Sequence, residues 1–298
     1  MKAQDVHHQA GHAEPPGRAG PRSIARRING ERLAILGWGR AVLPQFAHPL
    51  VAAGVADHSG FRSSPRDKVE RLGRTLRAML ALTFGTPHEA EQAARGIDAI
   101  HGRVSGRLPA AVGVFPAGTP YSARDPELLR WVHATLVDSM LLAYTRLVGP
   151  LSRAERDRYC AETAWVATAL GVPVELPPQD TGQLRAYLDE MYASGKIVVG
   201  PTGRALGRAL FESKPGPAGL VDLPLRLSYG LVTAGFLSPE LRSAYGFRWS
   251  PTHAAAFRTV TRTARLIVPR LPDRARRWPE ARRPQGAGSR DPRSRQRP

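Results

Sequence analysis

The chain has 298 residues, 42% of them apolar, which is enough to bury a sizeable core in one large domain. Its formal charge of +18 resembles a nucleic-acid footprint. Ten arginines, however, sit in residues 270–298, and the other basic residues are spread with no Lys/Arg block and no interleaved aromatics, which argues against specific nucleic-acid binding. The single cysteine, Cys160, excludes a disulfide framework, an iron–sulfur cluster and a Cys-based zinc site, and it fits a reducing, cytoplasmic setting.

Residues 1–22 are rich in Gly, Pro and His, lack the apolar core of a signal peptide, and are predicted to be disordered. The run Ala34–Ala56 is long enough to span a bilayer. Arg40, Pro44, Gln45, His48 and Pro49 interrupt it, so it reads as a buried or membrane-apposed helical pair. Ser64-Pro65 opens a helix that closes at Gly85. Thr86-Pro87-His88-Glu89 is a capping box with Pro at the first helical position, and its helix ends near Gly102–Gly106. Asp125-Pro126 starts a long helix that stops at Gly149, and Ser152-Arg153-Ala154-Glu155 caps another that closes at Gly171. Asp180 or Thr181 opens a helix ending at Gly195, and Ser238-Pro239 and Ser250-Pro251 start two more. Ile197-Val198-Val199 is too short to define a strand. The prediction is an all-α protein of eight to ten helices. One domain spans residues 23–270, and residues 271–298 form a disordered, basic, Pro/Arg-rich tail.

Within the segment that starts at Pro65, Val69, Leu72, Leu76, Met79, Leu80 and Thr83 share one helical stripe. Arg71, Arg74 and Thr75, at i, i+3 and i+4, lie opposite it. On periodicity alone they form a solvated basic face. In the next helix Ile97, Ile100, His101 and Val104 form the inward stripe; His101 is a core histidine or a metal ligand. No HxxxH or HxxE spacing accompanies it, which disfavours zinc and di-iron sites. In the long third helix Trp131, Thr135 and Asp138 share one face, and His133 falls near Leu129 and Val137 as a semi-buried residue. Asp57 and His58 stand at a helix break, where Asp57 serves as a local cap or a general base. Nucleophile-elbow, dinucleotide and P-loop signatures are absent.

Read in order, these segments resemble a known family. The series runs Arg40-Ala41-Val42-Leu43-Pro44-Gln45-Phe46-Ala47-His48-Pro49, Ala56-Asp57-His58-Ser59, Arg71-Leu72-Gly73-Arg74-Thr75 and His101-Gly102-Arg103-Val104-Ser105-Gly106. It continues with Tyr121-Ser122-Ala123-Arg124-Asp125-Pro126 and closes with Trp131-Val132-His133-Ala134-Thr135-Leu136. The chain is similar over about residues 25–270 to MpaB-type oxygenases, a family shared with the catalytic domain of latex-clearing rubber oxygenases. The resemblance implies a globin-like all-α core that holds haem b and cleaves C=C bonds of isoprenoid chains with O₂. It makes His101 the axial iron ligand, Arg71 and Thr75 residues of the distal-side helix, and His133 a further residue near the haem; with Arg74 beside them, Arg71 and Thr75 are read as distal or propionate contacts. Latex-clearing enzymes carry a lysine where this chain has Arg74, and a guanidinium offers no lone pair to iron. Their glutamate base has no counterpart among the motifs; Asp57 and His58 stand nearest to that role.

The resulting expectation is a haem-dependent oxygenase acting on a hydrophobic, unsaturated or prenylated small molecule with O₂. Two other classes compete with it. One is a non-catalytic haem or lipid carrier on the same scaffold; the other is an Arg-rich nucleic-acid or membrane-surface binder with peripheral membrane contact.

Overall fold

A computed structural model describes residues 23–58, 65–211 and 223–282; residues 1–22 and the end of the tail from 283 lie outside the described residues. Helices α1 (Ile24–Asn29), α2 (Leu36–Ala47), α3 (Pro49–His58), α4 (Pro65–Phe84) and α5 (Pro87–His101) lead into an antiparallel hairpin of β1 (Ser105–Arg107) and β2 (Pro120–Ser122). There follow α6 (Pro126–Leu147), α7 (Arg153–Ala169), α8 (Thr181–Ala193), α9 (Pro201–Ala209) and α10 (Leu223–Phe236). α11 (Pro239–Tyr245), α12 (Pro251–Ile267) and the single turn α13 (Asp273–Arg276) complete the chain. The protein is all-α, as its punctuation predicts.

The caps are where the sequence places them. Thr86 and Ser152 form capping boxes with Glu89 and Glu155, and Asp125, Asp180 and Ser238 each accept a backbone N–H at a helix start. Ser250 is boxed by His253 in place of the usual Glu or Gln. α11 stops because Gly246 takes a left-handed conformation at φ 75°. α1, α9, α10, α13 and the hairpin go beyond the predicted set, so the described residues hold thirteen α-helices where eight to ten were expected.

α6 runs through the core. Trp131, Ala134, Ala143 and Leu147 are buried there, and the face shared by Trp131, Thr135 and Asp138 receives α2. The pairing is polar and antiparallel. Trp131 Nε1 donates to Pro44 O (3.3 Å), Gln45 donates to Thr135 Oγ1 (3.1 Å), and Arg40 pairs with Asp138 and donates to Ser139 Oγ (2.7 Å). Gly37 lets the two helices approach, since a Cβ there would stand 2.8 Å from Ser139 O.

α2 and α3 are the expected helical pair, and Pro49 breaks them apart because it has no N–H to continue the ladder. The last carbonyls of α2 therefore need partners from elsewhere. Leu43 O accepts from Tyr245 Oη (2.6 Å), Pro44 O from Trp131, Gln45 O from the His48 N–H (3.1 Å), and Ala47 O from the Val198 N–H (2.7 Å). α9 closes over the same corner, with Gly203 packed onto Phe46 O.

Part of the segment assigned to the tail is a strap across the N-terminal helix. Trp278 N–H donates to Gly30 O (3.0 Å), Glu31 bridges Arg277, and Arg276 pairs with Glu31 at 3.4 Å. No helix among the described residues is long and apolar enough to cross a membrane.

The corner gives a test of sign as well as size. A Cβ at Gly203 would lie 2.3 Å from Phe46 O, which is backbone and cannot yield cheaply. Gly203→Ala is expected to lower unfolding free energy by about 1–3 kcal/mol. Gly96, exposed within α5 with nothing near its missing Cβ, should gain about 0.5–1 kcal/mol as Ala. Urea unfolding of both variants measures the contrast.

Candidate active site

α5 carries its histidine at the end of a stripe of small side chains. Ala90, Ala94, Ile97 and His101 follow one another at spacings of four, three and four, with both alanines buried. The stripe predicted through Ile100 is corrected here: Ile100 is 61% exposed, because the face anchored by the two alanines rotates it outward. His101 Nδ1 is buried and has no hydrogen-bond partner. Burial holds the ring below its usual pKa, with Asp98 opposing and the Arg124 guanidinium adding to that effect, so the imidazole is neutral near pH 7. Arg124 grips Asp98 in a fork, Nε to Oδ1 at 2.8 Å and Nη2 to Oδ2 at 2.7 Å, across the C-terminal turn of α5. Gly102 leaves room for it, since a Cβ there would meet the guanidinium carbon at 2.9 Å.

Past His101 the chain turns directly into the hairpin. The Val104 N–H donates to His101 O, and the Ala123 N–H donates to Val104 O. Gly106 faces Tyr121 across the strands, and its missing side chain is the gap through which the Tyr121 hydroxyl passes. That hydroxyl donates to Asp57 Oδ2, and burial together with the carboxylate pushes the phenol up to about 12. His58 Nε2 donates to Ser105 O at 3.0 Å, which leaves Nδ1 as its acceptor. Gly54, one turn earlier on α3, packs against Val104 and the Tyr121 ring. Asp57, His58 and His101 are thus tied to one hairpin. The side chains held at the hairpin are a carboxylate, an imidazole and a fixed phenol, and His101 stands at the turn that leads into it.

The remaining predicted residues are arranged differently. α4 and α5 pack together as a helical hairpin joined at Gly85–Thr86, with His101 at its open end and Arg74 midway along α4. Arg74 and Thr75 are exposed, and Arg74 pairs with Glu70 one turn away at 3.1 Å. The Arg71 side chain lies outside the described residues. His133, expected to be semi-buried, is buried in α6; its Nε2 has no partner, and desolvation pulls its pKa down to about 4. Neither a hydrogen bond nor an ion pair links it to His101, Arg74 or Thr75 among the described residues. His48 is a second such ring, buried against Phe115 with Nδ1 unpartnered and a pKa lowered to about 4, chiefly by burial.

Residues 25–266 match the family model for the catalytic domain of the ER-bound oxygenase mpaB/B' and of rubber oxygenase. The chain belongs to this family. It therefore carries an oxygenase domain, whose reaction takes O₂ and a small-molecule substrate. The matched span runs from α1 into α12 and includes every site residue named above. Comparisons with curated proteins and with solved structures gave no significant match.

Sequence reasoning assigned no role to Asp98, nor to Tyr121 and Arg124, although the latter two stand in one of the family motifs. Asp98, one turn before His101, and the Gly102 and Gly106 gaps were the available signals, but their meaning depends on contacts with Arg124 and Tyr121 some 15–26 residues away.

The two buried histidines set an acid limit on stability. Each is neutral in the fold with a pKa near 4, against an ordinary value of 6.5. The unfolded chain therefore takes up these protons first. The contribution is complete above about pH 6.5 and is lost as pH falls toward about 4, on the order of 3 kcal/mol for each ring. Carboxylates held down by partners, such as Glu155 at about 2, lose theirs at lower pH. Urea unfolding of wild type and His133→Leu across that window should show a slope that the variant roughly halves; equal slopes would contradict the assignment.

Proposed function

We propose that this oxygenase domain binds haem b and oxidises a hydrophobic, unsaturated or prenylated small molecule with O₂. One observation carries the reading: His101, within the family match, presents a neutral imidazole with a buried nitrogen that no protein group uses. Among the described residues no three His, Cys, Asp or Glu side chains gather, so a metal at His101 would need most of its ligands from another source. A porphyrin provides them. Bound haem would supply the iron that activates O₂ for attack on a C=C bond.

The protein residues have separable tasks. His101 would hold the iron, with the Asp98–Arg124 fork fixing the turn that carries it. Arg74 cannot ligate metal, but its pair with Glu70 is exposed and worth little, so the guanidinium is free to exchange onto a propionate carboxylate. Arg71 and Thr75 would flank that contact on the same helical face. Tyr121 holds the Asp57 carboxylate in place as a proton acceptor, and His58 offers Nδ1, so these two are the candidates for moving a proton. His133 would contribute a neutral, dry wall. We read the protein as cytoplasmic, which its lone, buried Cys160 supports.

Haem titration into the protein is expected to give a Soret band. In His101→Ala the band should shift and the affinity fall by about an order of magnitude or more. An unchanged band in the variant would remove His101 as ligand, and absence of any band in wild type would remove the cofactor. Haem binding without O₂ consumption in the presence of an alkene would favour the carrier reading.

A further inference from the structure

The outward face of α12 is unusual for a helix packed on a globular core. Its inner side is conventional: Thr261 and Val268 are buried, and Phe257 meets Phe236 and Trp249 edge-on at 5.5 and 6.0 Å. Its outer side exposes Leu266 by 61% and Ile267 by 51%, with Leu271 and Val260 exposed by 40% and 36%. At 100° per residue, Val260 and Ile267 fall on one flank of that surface, Arg258, Arg262 and Arg265 on the other, and Leu266 between them. All three arginines are exposed, and Arg270 and Arg274 continue the basic side past the helix end. Between Glu240 and Asp273 the chain has no acidic residue.

Four occupants compete for this face. Residues 1–22 and 283–298 contain no Leu, Ile, Phe, Trp or Tyr, so neither stretch brings a large apolar side chain to cover it. A second copy would bring its own arginines against these. Nucleic acid would satisfy the arginines but leaves Leu266 and Ile267 without a role. A bilayer with anionic headgroups satisfies both sides: guanidinium groups fork onto phosphates while the aliphatic side chains enter the acyl boundary.

We propose that the exposed face of α12 is a peripheral membrane-binding surface selective for anionic phospholipid bilayers. Arg258, Arg262 and Arg265 give the charge preference, and Leu266 and Ile267 insert. The surface does not depend on the haem reading.

Vesicle co-sedimentation of the full chain tests it, with pure phosphatidylcholine compared against phosphatidylcholine doped with phosphatidylglycerol. Wild type should bind the doped vesicles, ignore the neutral ones, and weaken as salt rises. The triple variant Arg258→Gln/Arg262→Gln/Arg265→Gln should bind on the order of 100-fold more weakly. Leu266→Glu/Ile267→Glu should lose binding while its circular dichroism stays that of wild type, because both residues are exposed. Failure of wild type to bind doped vesicles overturns the proposal, as does undiminished binding by the Leu266/Ile267 variant. So would self-association that this double variant abolishes in a protein that ignores vesicles, or duplex DNA binding that the double variant leaves intact in such a protein.

Discussion

The break between α2 and α3 governs the rest of the molecule. Pro49 ends the backbone ladder inside a segment whose residues are too apolar to leave carbonyls facing water, so each freed oxygen must find a donor within the fold. The donors come from distant parts of the chain: an indole on α6, a phenol at the end of α11, and a main-chain N–H from the segment before α9. One corner thereby fixes where α6, α9 and α11 sit relative to α2. It also fixes the direction in which α3 leaves.

That direction matters because α3 is the support of the site. Its Gly54 rests on Val104 and Tyr121, and its last residues meet the hairpin through Asp57 and His58. The hairpin in turn begins four residues after His101. Restraint thus passes from the corner through α3 to the histidine, while the Asp98–Arg124 fork closes the same turn from the outside. The α4 side is built on other terms, since Arg74 and Thr75 are exposed and held only by a pair within their own helix. The histidine turn is thus restrained from two directions, whereas the Arg74 face of α4 is open to solvent.

What could be read in advance follows the range of the interactions. Capping boxes at Thr86 and Ser152 were legible because cap and helix lie within four residues of one another. The α2–α3 pair was legible from Pro49 and the apolar run. Ile100 was misplaced because four residues do not fix a helical phase, which the buried alanines at 90 and 94 do. The hairpin was invisible for a different reason. Three-residue strands carry no periodicity, and theirs is held by a tyrosine reaching through a glycine gap to a carboxylate 64 residues away. The strap at Trp278 escaped notice because its arginines and prolines have the composition of a disordered tail, whereas its order comes from pairing with Gly30 and Glu31.

The measurement that bears most directly on the corner is amide hydrogen exchange in Tyr245→Phe, which removes one hydroxyl and with it the side-chain donor to Leu43 O. Exchange should accelerate along α3 and in the hairpin residues 105–107 and 120–122, with α7 and α8 keeping their wild-type protection. Unchanged protection in α3, or equal loss in every helix, would contradict the view that this corner holds the histidine site in place.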